Sequence, residues 1–425
     1  MSGRNDPPAT TVEVTIDRLG FQGDGIARHD DGLTVRELIV PLALPGERWL
    51  VRLTGRDGRR WRARPQRLLG GDARRNEPVC RHFGRCGGCA LQHLDKSCAL
   101  SLKIGMIEGA LRSRRLTFPA FEPASTSPLR SRRRIRIAFD RNGRLGFRER
   151  WSRNIVPVDH CPVAHPALDR LLPPLARTVP SLDCIAGTGE ILLTLADNGV
   201  DLHWLAEAHP TPGDLERLEV ALAPLSVIRI SRSNGRDGFD ETLWQRYEPL
   251  VTFGDSCLPL PPRSFLQATA EGLASLQAFV QGSLAGCRRV CDLFSGLGSL
   301  SLPLMQKLDA LCAIDANRSA IGTLSTIPGL RAVTRDLHEN PLAPDEFAPF
   351  DGAIIDPPRA GAQAQAEAIA GSGIRRLVHV SCNPASFARD TAILCSAGFR
   401  IERLLPVDQF THASSIELAA YLTRR

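Results

Sequence analysis

The sequence predicts a multi-domain α/β protein whose C-terminal part is a doubly wound parallel sheet. In that part apolar strands alternate with helices, and three strands end in short polar motifs. Residues 289–294 run into Ser-Gly-Leu-Gly, residues 352–355 into Asp-Pro-Pro-Arg, and residues 376–380 into Ser-Cys-Asn-Pro. Because ligands of open α/β sheets bind outside the carboxyl ends of the strands, we expect the three motifs to share one site.

Two further domains are predicted before this sheet. Short strands separated by Gly and Asp over residues 11–69 indicate a small OB-like β-barrel. Residues 75–252 combine strand patterns with proline-rich helical pieces, which indicates a central α+β domain. A helix near residues 98–115 is expected to pack on the sheet domain, which occupies residues 253–425.

The charge distribution favours contact with a nucleic acid. The chain has 425 residues, 43% of them hydrophobic, and a net charge of only +7. Residues 48–75 and residues 130–153 nevertheless each hold ten Arg against two acidic residues. Such stretches neutralise phosphates. A general preference for Arg in the organism is the competing explanation, but it does not account for the scarcity of acidic residues there.

We expect a cytoplasmic protein without a membrane partner. The first residues contain no apolar segment typical of a secretory signal, and no apolar run reaches membrane-spanning length. In that compartment the twelve Cys are expected to be ligands, nucleophiles or core residues and not disulfides. Nothing in the sequence indicates an interface between copies, so a monomer is the default expectation.

The loop after the first of the three strands is predicted to bind a cofactor. Gly296 and Gly298 lie between a strand and a helix, where the backbone can approach a ligand closely. A dinucleotide site is the competing interpretation, but Ser301 stands where its third glycine would be. Asp315 and Asp336 follow the next two strands, and acidic residues there suit the ribose and adenine of S-adenosylmethionine. A helix cap at Asp315 and a surface turn at Asp336 are the alternatives.

Cys382 is the candidate nucleophile and Glu417 the candidate base. Cys382 lies at a strand tip beside Pro384 and is expected opposite the tip that carries Asp356. A buried, inert Cys is the alternative. Glu417 begins the last apolar strand, an unusual place for a carboxylate unless it is paired or reactive. A Cys nucleophile with a carboxylate proton acceptor is typical of covalent catalysis.

Three cysteines within ten residues, Cys80, Cys86 and Cys89, indicate a metal site. A zinc ion would need a fourth ligand nearby, and the candidates are His82, His93 and Cys98. An iron–sulfur cluster would also take four thiolates, the fourth of which can be distant in sequence. The spacing leaves zinc and iron–sulfur equally open.

The C-terminal motifs form an ordered set that resembles the RNA (uracil-5-)-methyltransferase family over residues 257–425. The set comprises Pro-Arg-Ser-Phe-Leu-Gln at 262–267, Asp-Leu-Phe-x-Gly-x-Gly at 292–298, Asp-Pro-Pro-Arg-Ala-Gly at 356–361, Val-Ser-Cys-Asn-Pro at 380–384 with Arg-Asp at 389–390, and His-x4-Glu at 412–417. The resemblance implies a class I (Rossmann-like) S-adenosylmethionine methyltransferase fold and an enzyme that forms 5-methyluridine in structured RNA.

The resemblance also assigns roles to individual residues. Cys382 would add to C6 of a uracil that has left its stack, and Glu417 would remove the C5 proton after methyl transfer. Gln267 would contact the cofactor and the target base. The other cofactor positions would be Phe294, Gly296, Gly298, Ser299, Asp315, Asp336 and Asp356. Ser299 and Ser415 depart from the family's Asn and His, and His412 receives no catalytic role.

The resemblance extends to the N-terminal half. It implies that Cys80, Cys86, Cys89 and Cys161 hold a [4Fe-4S] cluster with a structural or RNA-positioning role. Residues 11–69 resemble the TRAM domain, a small RNA-binding barrel. Together these parts most resemble the branch that modifies 23S ribosomal RNA. The alternatives are a tRNA substrate, an amino-group N-methyltransferase suggested by Asp356-Pro-Pro, and a non-catalytic RNA-binding iron–sulfur protein.

Overall fold

The computed structural model describes residues 10–20, 22–30, 32, 34–58, 60–71, 75–185, 187–233 and 240–425. The chain divides into two compact units. The first contains Met1–Lys103, Glu149–Ser152 and Phe410–Ser415, and the second contains Ile104–Arg148, Arg153–Gln409 and Ile416–Arg425. No helix in the described part of the chain is long and apolar enough to cross a membrane.

Five strands of the first unit close into a barrel, as the sequence predicts. They are β1 (Thr11–Leu19), β2 (Gly25–Asp30), β3 (Val35–Val40), β4 (Arg48–Asp57) and β5 (Arg60–Gly70), in the order β1-β2-β3-β5-β4. Alternate residues face the barrel core, among them Val14, Ile16 and Val51. Closure pairs the strands that would otherwise be edges, which removes exposed backbone groups.

In the first unit, residues 90–103 of the cysteine-rich segment and the helix after it form hydrogen bonds with a part of the chain that comes much later in the sequence. The backbone N–H groups of Ala90 and Leu91 donate to the carbonyl oxygen of His412 at 2.8 and 2.9 Å. The buried Lys103 ammonium donates to the carbonyl oxygen of Phe410 at 2.9 Å. The segment Phe410–Ser415, which comes just before Glu417 in the chain, is therefore fixed by residues 90–103.

The second unit contains a seven-stranded sheet with helices, which confirms the predicted α+β character of the central region. Its strands have the order β13-β12-β11-β10-β7-β8-β9. The elements from the cysteine-rich segment onward are α1 (Lys96–Ser113), β6 (Ser125–Thr126), β7 (Arg134–Phe139), β8 (Leu145–Arg148), β9 (Ile155–Pro157), α2 (Pro166–Asp169), α3 (Leu172–Thr178), β10 (Gly189–Ala196), β11 (Gly199–Leu205), α4 (Pro212–Leu222), β12 (Val227–Ser233) and β13 (Glu241–Gln245). Trp204 and Phe139 are fully buried in this core.

The second unit also contains the predicted doubly wound sheet. A hairpin, β14 (Leu250–Phe253) and β15 (Ser256–Pro259), precedes it. The remaining elements are α5 (Ala270–Ser283), β16 (Arg289–Leu293), β17 (Ala310–Asp315), α6 (Arg318–Leu324), β18 (Leu330–Thr334), β19 (Gly352–Ile355), α7 (Gln363–Gly371), β20 (Arg376–Ser381), α8 (Pro384–Ser396), β21 (Arg400–Asp408) and β22 (Glu417–Thr423). Short 3-10 helices cover Val179–Ser181, Ala223–Leu225, Leu302–Lys307 and Pro344–Phe347.

The strand order of this sheet fixes where a ligand can bind. The order is β18-β17-β16-β19-β20-β22-β21-β6. Strands β16 to β20 are parallel, and β22 runs antiparallel to both of its neighbours, β20 and β21. The first strand of the series, β16, pairs with both β17 and β19, so the winding reverses between β16 and β19. Open α/β sheets bind their ligands at this switch point.

The far edge of the sheet is covered by a strand from a much earlier part of the chain. Ser125 and Thr126 of β6 pair in parallel with β21. The Glu122 backbone N–H donates to the carbonyl oxygen of Leu404 at 2.8 Å, and its carboxylate pairs with Arg403 at 2.5 Å. Residues 122–126 are thus an integral part of the C-terminal sheet.

Candidate active site

A cavity of about 540 Å³ opens at the switch point of the sheet. It is bounded by the carboxyl ends of the parallel strands and by the beginning of β22. The predicted residues that line it are Gln267, Phe294, Gly296, Ser299, Asp315, Asp336, Asp356, Cys382 and Glu417. The three strand-end motifs therefore share one cavity, as the sequence predicts.

The loop after β16 is shaped by backbone conformations that favour glycine. Phe294, Gly296 and Gly298 have φ angles of 60°, 53° and 71°. The Gly296 N–H donates to the Asp315 carboxylate at 2.8 Å, and the Asn317 N–H donates to the same carboxylate at 2.7 Å. Asn317, not Asp315, caps α6. Asp315 therefore joins the glycine loop to the end of β17.

The back of the loop is fixed by a pair of buried residues. The Ser301 hydroxyl, at the position where a dinucleotide site would have its third glycine, donates to the Asp292 carboxylate at 2.5 Å. Gly298 packs closely, since a Cβ there would lie 3.0 Å from the Leu302 side chain. Burial raises the pKa of Asp292 to about 7, and the hydrogen bond from Ser301 opposes that shift.

Two aromatic side chains that line the cavity, Phe294 and His338, form a pair. The rings of Phe294 and His338 lie 5.2 Å apart. Asp336 accepts hydrogen bonds from the backbone N–H groups of His338 and Glu339, at 2.9 and 3.3 Å. Asp336 thus closes the turn after β18, and it also lines the cavity.

Cys382 is held at the junction between β20 and α8. The strand ends at Ser381 and the helix begins at Pro384, because Pro suits the first helical position and Asn383 caps it by accepting from the Ala385 N–H at 3.1 Å. The Asn383 amide also donates to the carbonyl oxygen of Arg359 at 2.8 Å. This bond ties the Ser-Cys-Asn-Pro motif to the Asp-Pro-Pro-Arg loop.

The acidic groups around Cys382 have unusual proton affinities. Burial, reinforced by the charge of Asp356, raises the pKa of Glu417 to about 8, and Arg359 opposes the shift. Burial raises the pKa of Asp356 to about 7. Burial, together with the nearby Glu417 charge, raises the pKa of the Cys382 thiol to about 11. Within the described residues no hydrogen-bond donor contacts the Glu417 carboxylate, so this acid can exchange a proton near neutral pH.

A chain of buried amides supports the floor of the cavity. The Gln267 side-chain Nε2 donates to Asp356 at 3.2 Å, and the Gln409 side-chain Nε2 donates to Gln267 Oε1 at 2.8 Å. The Gln267 carbonyl oxygen accepts from Arg133 Nε at 2.9 Å. Sequence reasoning did not single out Asp292, Arg359 or Gln409 as site residues, although all three lie in or beside the motifs that define the site.

The predicted metal ligands come from both compact units. Cys80, Cys86 and Cys89 belong to the first compact unit and Cys161 to the second. None of the four forms a disulfide, and all four are partly exposed. No group of three or more His, Cys, Asp or Glu side chains in the described part of the chain is arranged to hold a metal ion.

Comparisons with known proteins agree with this geometry. The sequence model of the tRNA (uracil-5-)-methyltransferase family matches residues 331–425. A Brucella suis protein described as an uncharacterized RNA methyltransferase is 35% identical, covering 97% of this chain and 98% of its own length. The 23S rRNA (uracil(1939)-C(5))-methyltransferase RlmD of Chromohalobacter salexigens is 33% identical, covering 98% of this chain and 90% of its own.

The fold has a counterpart among solved structures. The crystal structure of the Pyrococcus abyssi tRNA (uracil-54, C5)-methyltransferase with S-adenosyl-L-homocysteine matches with a TM-score of 0.75. It covers 97% of this chain and 99% of its own, at 23% sequence identity. The fold is therefore shared along almost the whole chain.

Proposed function

Because this chain belongs to the RNA (uracil-5-)-methyltransferase family, we propose that it forms 5-methyluridine in 23S ribosomal RNA through a covalent adduct with Cys382. Family membership makes it an RNA uracil-C5 methyltransferase that uses S-adenosylmethionine. The observation that carries the covalent mechanism is one cavity that holds a thiol, an elevated-pKa carboxylate and a glycine loop.

The chemistry of uracil calls for these groups. C5 of uracil is a weak nucleophile, so it must be activated before it can accept a methyl group. Addition of the Cys382 thiolate at C6 forms a C–S bond and places the electron pair on the C5–C4–O4 enolate. C5 would then attack the methyl carbon of S-adenosylmethionine, so that the C5–CH₃ bond forms as the methyl–sulfur bond breaks and S-adenosylhomocysteine leaves. Loss of the C5 proton to a base lets the C–S bond break and restores the aromatic ring.

Glu417 is the proposed acceptor of that proton. Its pKa of about 8 makes the ionised carboxylate a much stronger base than an exposed Glu. In the free site Cys382 is a protonated thiol, since its pKa is raised to about 11. Arg359, which opposes the shifts of both groups, is the cation that favours their ionised forms. A uracil in a duplex could not reach these groups, so the target base must leave its stack.

The methyl donor is assigned to the loop side of the cavity. When bound, S-adenosylmethionine supplies an electrophilic methyl group. The glycine loop leaves open space beside Gly296 for close approach, and Phe294 offers a ring face for an adenine. The carboxylates of Asp315 and Asp336 retain acceptor capacity beyond their backbone hydrogen bonds, which suits ribose hydroxyls and the adenine amino group. Gly298 and Ser299 complete the proposed site.

Two features support ribosomal RNA as the substrate. The RlmD relative matches over almost the whole chain, barrel included. In the barrel the guanidinium groups of Arg36 and Arg56 lie 5.2 and 4.9 Å from the Trp61 ring, a surface suited to stacking and phosphate contact. We propose that residues 11–69 act as a TRAM-like RNA-binding barrel, that residues 75–252 support it, and that residues 253–425 carry the reaction. A tRNA substrate is the second candidate, which the family's description favours.

One assay tests both reaction and substrate. Purified protein receives labelled S-adenosylmethionine with unmodified 23S ribosomal RNA or, separately, with unmodified tRNA, and the products are digested to nucleosides. We expect label in 5-methyluridine from ribosomal RNA alone. Label from tRNA alone would overturn the substrate, and label in an amino-methylated nucleoside would overturn the mechanism.

A variant pair tests the covalent step. RNA with 5-fluorouridine at the target position should trap the adduct, because fluorine at C5 cannot leave as a proton does. Cys382→Ala should form no adduct and no product. The matched control is Cys257→Ala, which removes an exposed thiol from the β14–β15 hairpin. This variant should form the adduct and the product as the wild type does. Substantial turnover by Cys382→Ala would contradict the covalent mechanism.

We also propose a [4Fe-4S] cluster held by Cys80, Cys86, Cys89 and Cys161. Its support is the spacing of the first three residues, and none of the four thiols is taken up by a disulfide. Iron and sulfide analysis of anaerobically purified protein should give four of each, and Cys86→Ser should lose them. Cys98→Ser, which removes a neighbouring thiol, should keep them. Stoichiometric zinc in place of iron would overturn the proposal.

A further inference from the structure

We propose that Gln409 is a positioning residue that locks the Gln267 side chain with its amide nitrogen toward the reaction cavity. Gln267 would then offer the target base hydrogen-bond donors only. Such a site accepts a carbonyl oxygen, as at C4 of uracil, and opposes an amino group, as at C4 of cytosine. This inference rests on the proposed contact between Gln267 and the target base.

The lock is a buried chain of four groups. The Thr269 backbone N–H donates to Gln409 Oε1 at 3.2 Å, and Gln409 Nε2 donates to Gln267 Oε1 at 2.8 Å. Gln267 Nε2 then donates to Asp356 Oδ2 at 3.2 Å. Thr269, Gln409 and Gln267 are each at most 3% exposed, so water does not compete for these bonds.

The Thr269 backbone N–H, at one end of this series of hydrogen bonds, sets the direction of every bond in the series. A backbone N–H can only donate, so the Gln409 atom that faces Thr269 must be its oxygen. The nitrogen of Gln409 then faces Gln267 and donates to it, so the Gln267 atom at this contact must be its oxygen. The nitrogen of Gln267 is left to face Asp356 and the cavity.

The reversed arrangement is disfavoured at each position. Turning both amides over would place the Gln409 NH₂ group against the Thr269 N–H, with two buried donors facing each other. It would also aim the Gln267 oxygen at Asp356. Burial raises the pKa of Asp356 to about 7, so a protonated Asp356 could tolerate that oxygen. Thr269 cannot, and for this reason the direction holds whether or not Asp356 is ionised.

The surroundings are shaped for Gln409. A Cβ on Gly272 would lie 2.3 Å from Gln409 Cγ and 2.5 Å from its Cδ, so only glycine leaves room for the side chain. Gly272 lies in the first turn of α5, where Thr269 caps the helix by accepting from the Gly272 N–H at 3.1 Å. The Thr269 hydroxyl is in turn 2.6 Å from that of Ser127. The lock is therefore anchored on a helix terminus and not on a mobile loop.

The consequence for the cavity is a site of fixed polarity. The Gln267 oxygen accepts a hydrogen bond from Gln409, and one hydrogen of the Gln267 NH₂ group is directed to Asp356. The second hydrogen remains for a ligand in the cavity that Gln267 lines. An unlocked glutamine could rotate to accept from an amino group, and its discrimination between the two bases would be lost.

Two substitutions of Gln409 test the lock in different ways. Gln409→Glu presents two acceptor oxygens, one for Thr269 and one for Gln267, so it should turn the Gln267 amide over. Gln409→Met keeps the length but removes both bonds, so it should free the amide. The matched control is Gln365→Met, which removes a fully buried amide that accepts from the Leu342 N–H at 3.0 Å and does not line the cavity.

The readout compares two RNAs that differ only at the target position. The uridine RNA gives kcat/KM for methylation, and the cytidine RNA gives an inhibition constant in competition with it. Discrimination is measured as the inhibition constant of the cytidine RNA divided by the KM of the uridine RNA. We expect Gln409→Glu to lower kcat/KM for uridine about tenfold or more, and to lower this ratio about tenfold. Gln409→Met should shift both quantities in the same direction by less. Gln365→Met should change thermal stability only.

The outcomes separate this inference from the proposed function. Wild-type protein that forms no 5-methyluridine on the uridine RNA would refute the function itself. A working wild type, with Gln409 variants that are folded but keep the wild-type ratio, would overturn the lock alone. Should the Gln409 variants fail to fold, Gly272→Ala supplies the second test, because its methyl group displaces the Gln409 side chain. It should lower the same ratio, and an unchanged ratio would again overturn the lock.

Discussion

Asp214 and Glu417 are two buried carboxylates of the same compact unit with opposite proton affinities. Asp214 lies in the first turn of α4 and is fully buried, and Glu417 begins β22 with 6% of its surface exposed. Burial alone would raise the pKa of both. In Asp214, hydrogen bonds overcome that effect and hold the pKa well below its usual value; they come from Thr211, Arg217, Asp183 and Cys184.

Among the described residues, no comparable set of donors reaches Glu417. Burial and the charge of Asp356 raise its pKa to about 8, and the charge of Arg359 opposes the shift. The two carboxylates differ both in the donors that reach them and in the burial that raises their pKa, since Asp214 lies under a thinner layer of protein than Glu417. A carboxylate saturated with hydrogen bonds fixes a fold, whereas one left without them can take up and release a proton.

The strongest test of the comparison is Glu417→Gln. The substitution keeps the shape and removes the proton acceptor, so we expect turnover to fall by about 10²- to 10⁴-fold. The methylated RNA should remain attached to Cys382, since the C5 proton cannot leave. A denaturing gel detects the adduct, and nucleoside analysis detects the product. Normal turnover without a trapped adduct would place the base elsewhere.

The counterpart is Asp214→Asn, which should affect stability and not chemistry. The amide retains one acceptor oxygen but loses the charge-assisted bond to Arg217, and its NH₂ group meets backbone donors. We expect the free energy of unfolding in urea at pH 7 to fall by about 2 kcal/mol. Turnover per folded molecule should equal that of the wild type, and a specific loss of turnover would break the comparison.

The two residues should also shift stability in opposite directions with pH. The pKa of Glu417 is raised from 4.5 to about 8, so the folded state binds an extra proton between these values and loses stability as pH rises through them. Asp214 has a lowered pKa, so its contribution is present above its unfolded pKa and is lost as pH falls through the folded one.

Unfolding experiments across pH detect this difference. Glu417→Gln should have nearly the stability of the wild type at pH 4 to 5 and exceed it by about 4 kcal/mol at pH 8. The free energy of unfolding that Asp214→Asn loses relative to the wild type should be largest at neutral pH and become smaller in acid. A Glu417→Gln variant that is less stable than the wild type at pH 8 would show that its carboxylate is structural.

The smallest expected effect is the pH dependence of the wild-type rate. Ionisation of Glu417 near pH 8 implies that product release from the adduct speeds up about tenfold between pH 7 and pH 9. Single-turnover measurements with preformed adduct isolate this step from RNA binding. A flat profile would mean that bound RNA lowers the pKa of Glu417 below the range tested.

The sequence was sufficient for features that are encoded locally. Residues Arg134–Phe139 read as a strand and form β7 with the same bounds, because alternating polarity is a local signal. Cys382 and Asp356 were expected to share a site because strand ends in a parallel sheet meet at one edge, and they line one cavity.

Features that depend on distant contacts were not predictable in this way. The bond of Gln409 to Gln267 joins residues 142 positions apart, and nothing local in either segment encodes it. The proton affinities of Asp292 and Glu417 depend on which donors reach them, which a pattern of residue types does not specify. The spacing of Cys80, Cys86 and Cys89 likewise identifies metal-binding residue types without determining whether their sulfurs converge.

Strand β6 has a consequence for anyone who dissects this chain. A fragment that begins at residue 253 would include every strand of the doubly wound sheet except β6. It would strip the cover from β21 and leave Arg403 without its Glu122 partner. An uncovered strand edge recruits other chains, so such a fragment would aggregate. A fragment that carries the catalytic part must therefore also include residues 122–127 to remain soluble.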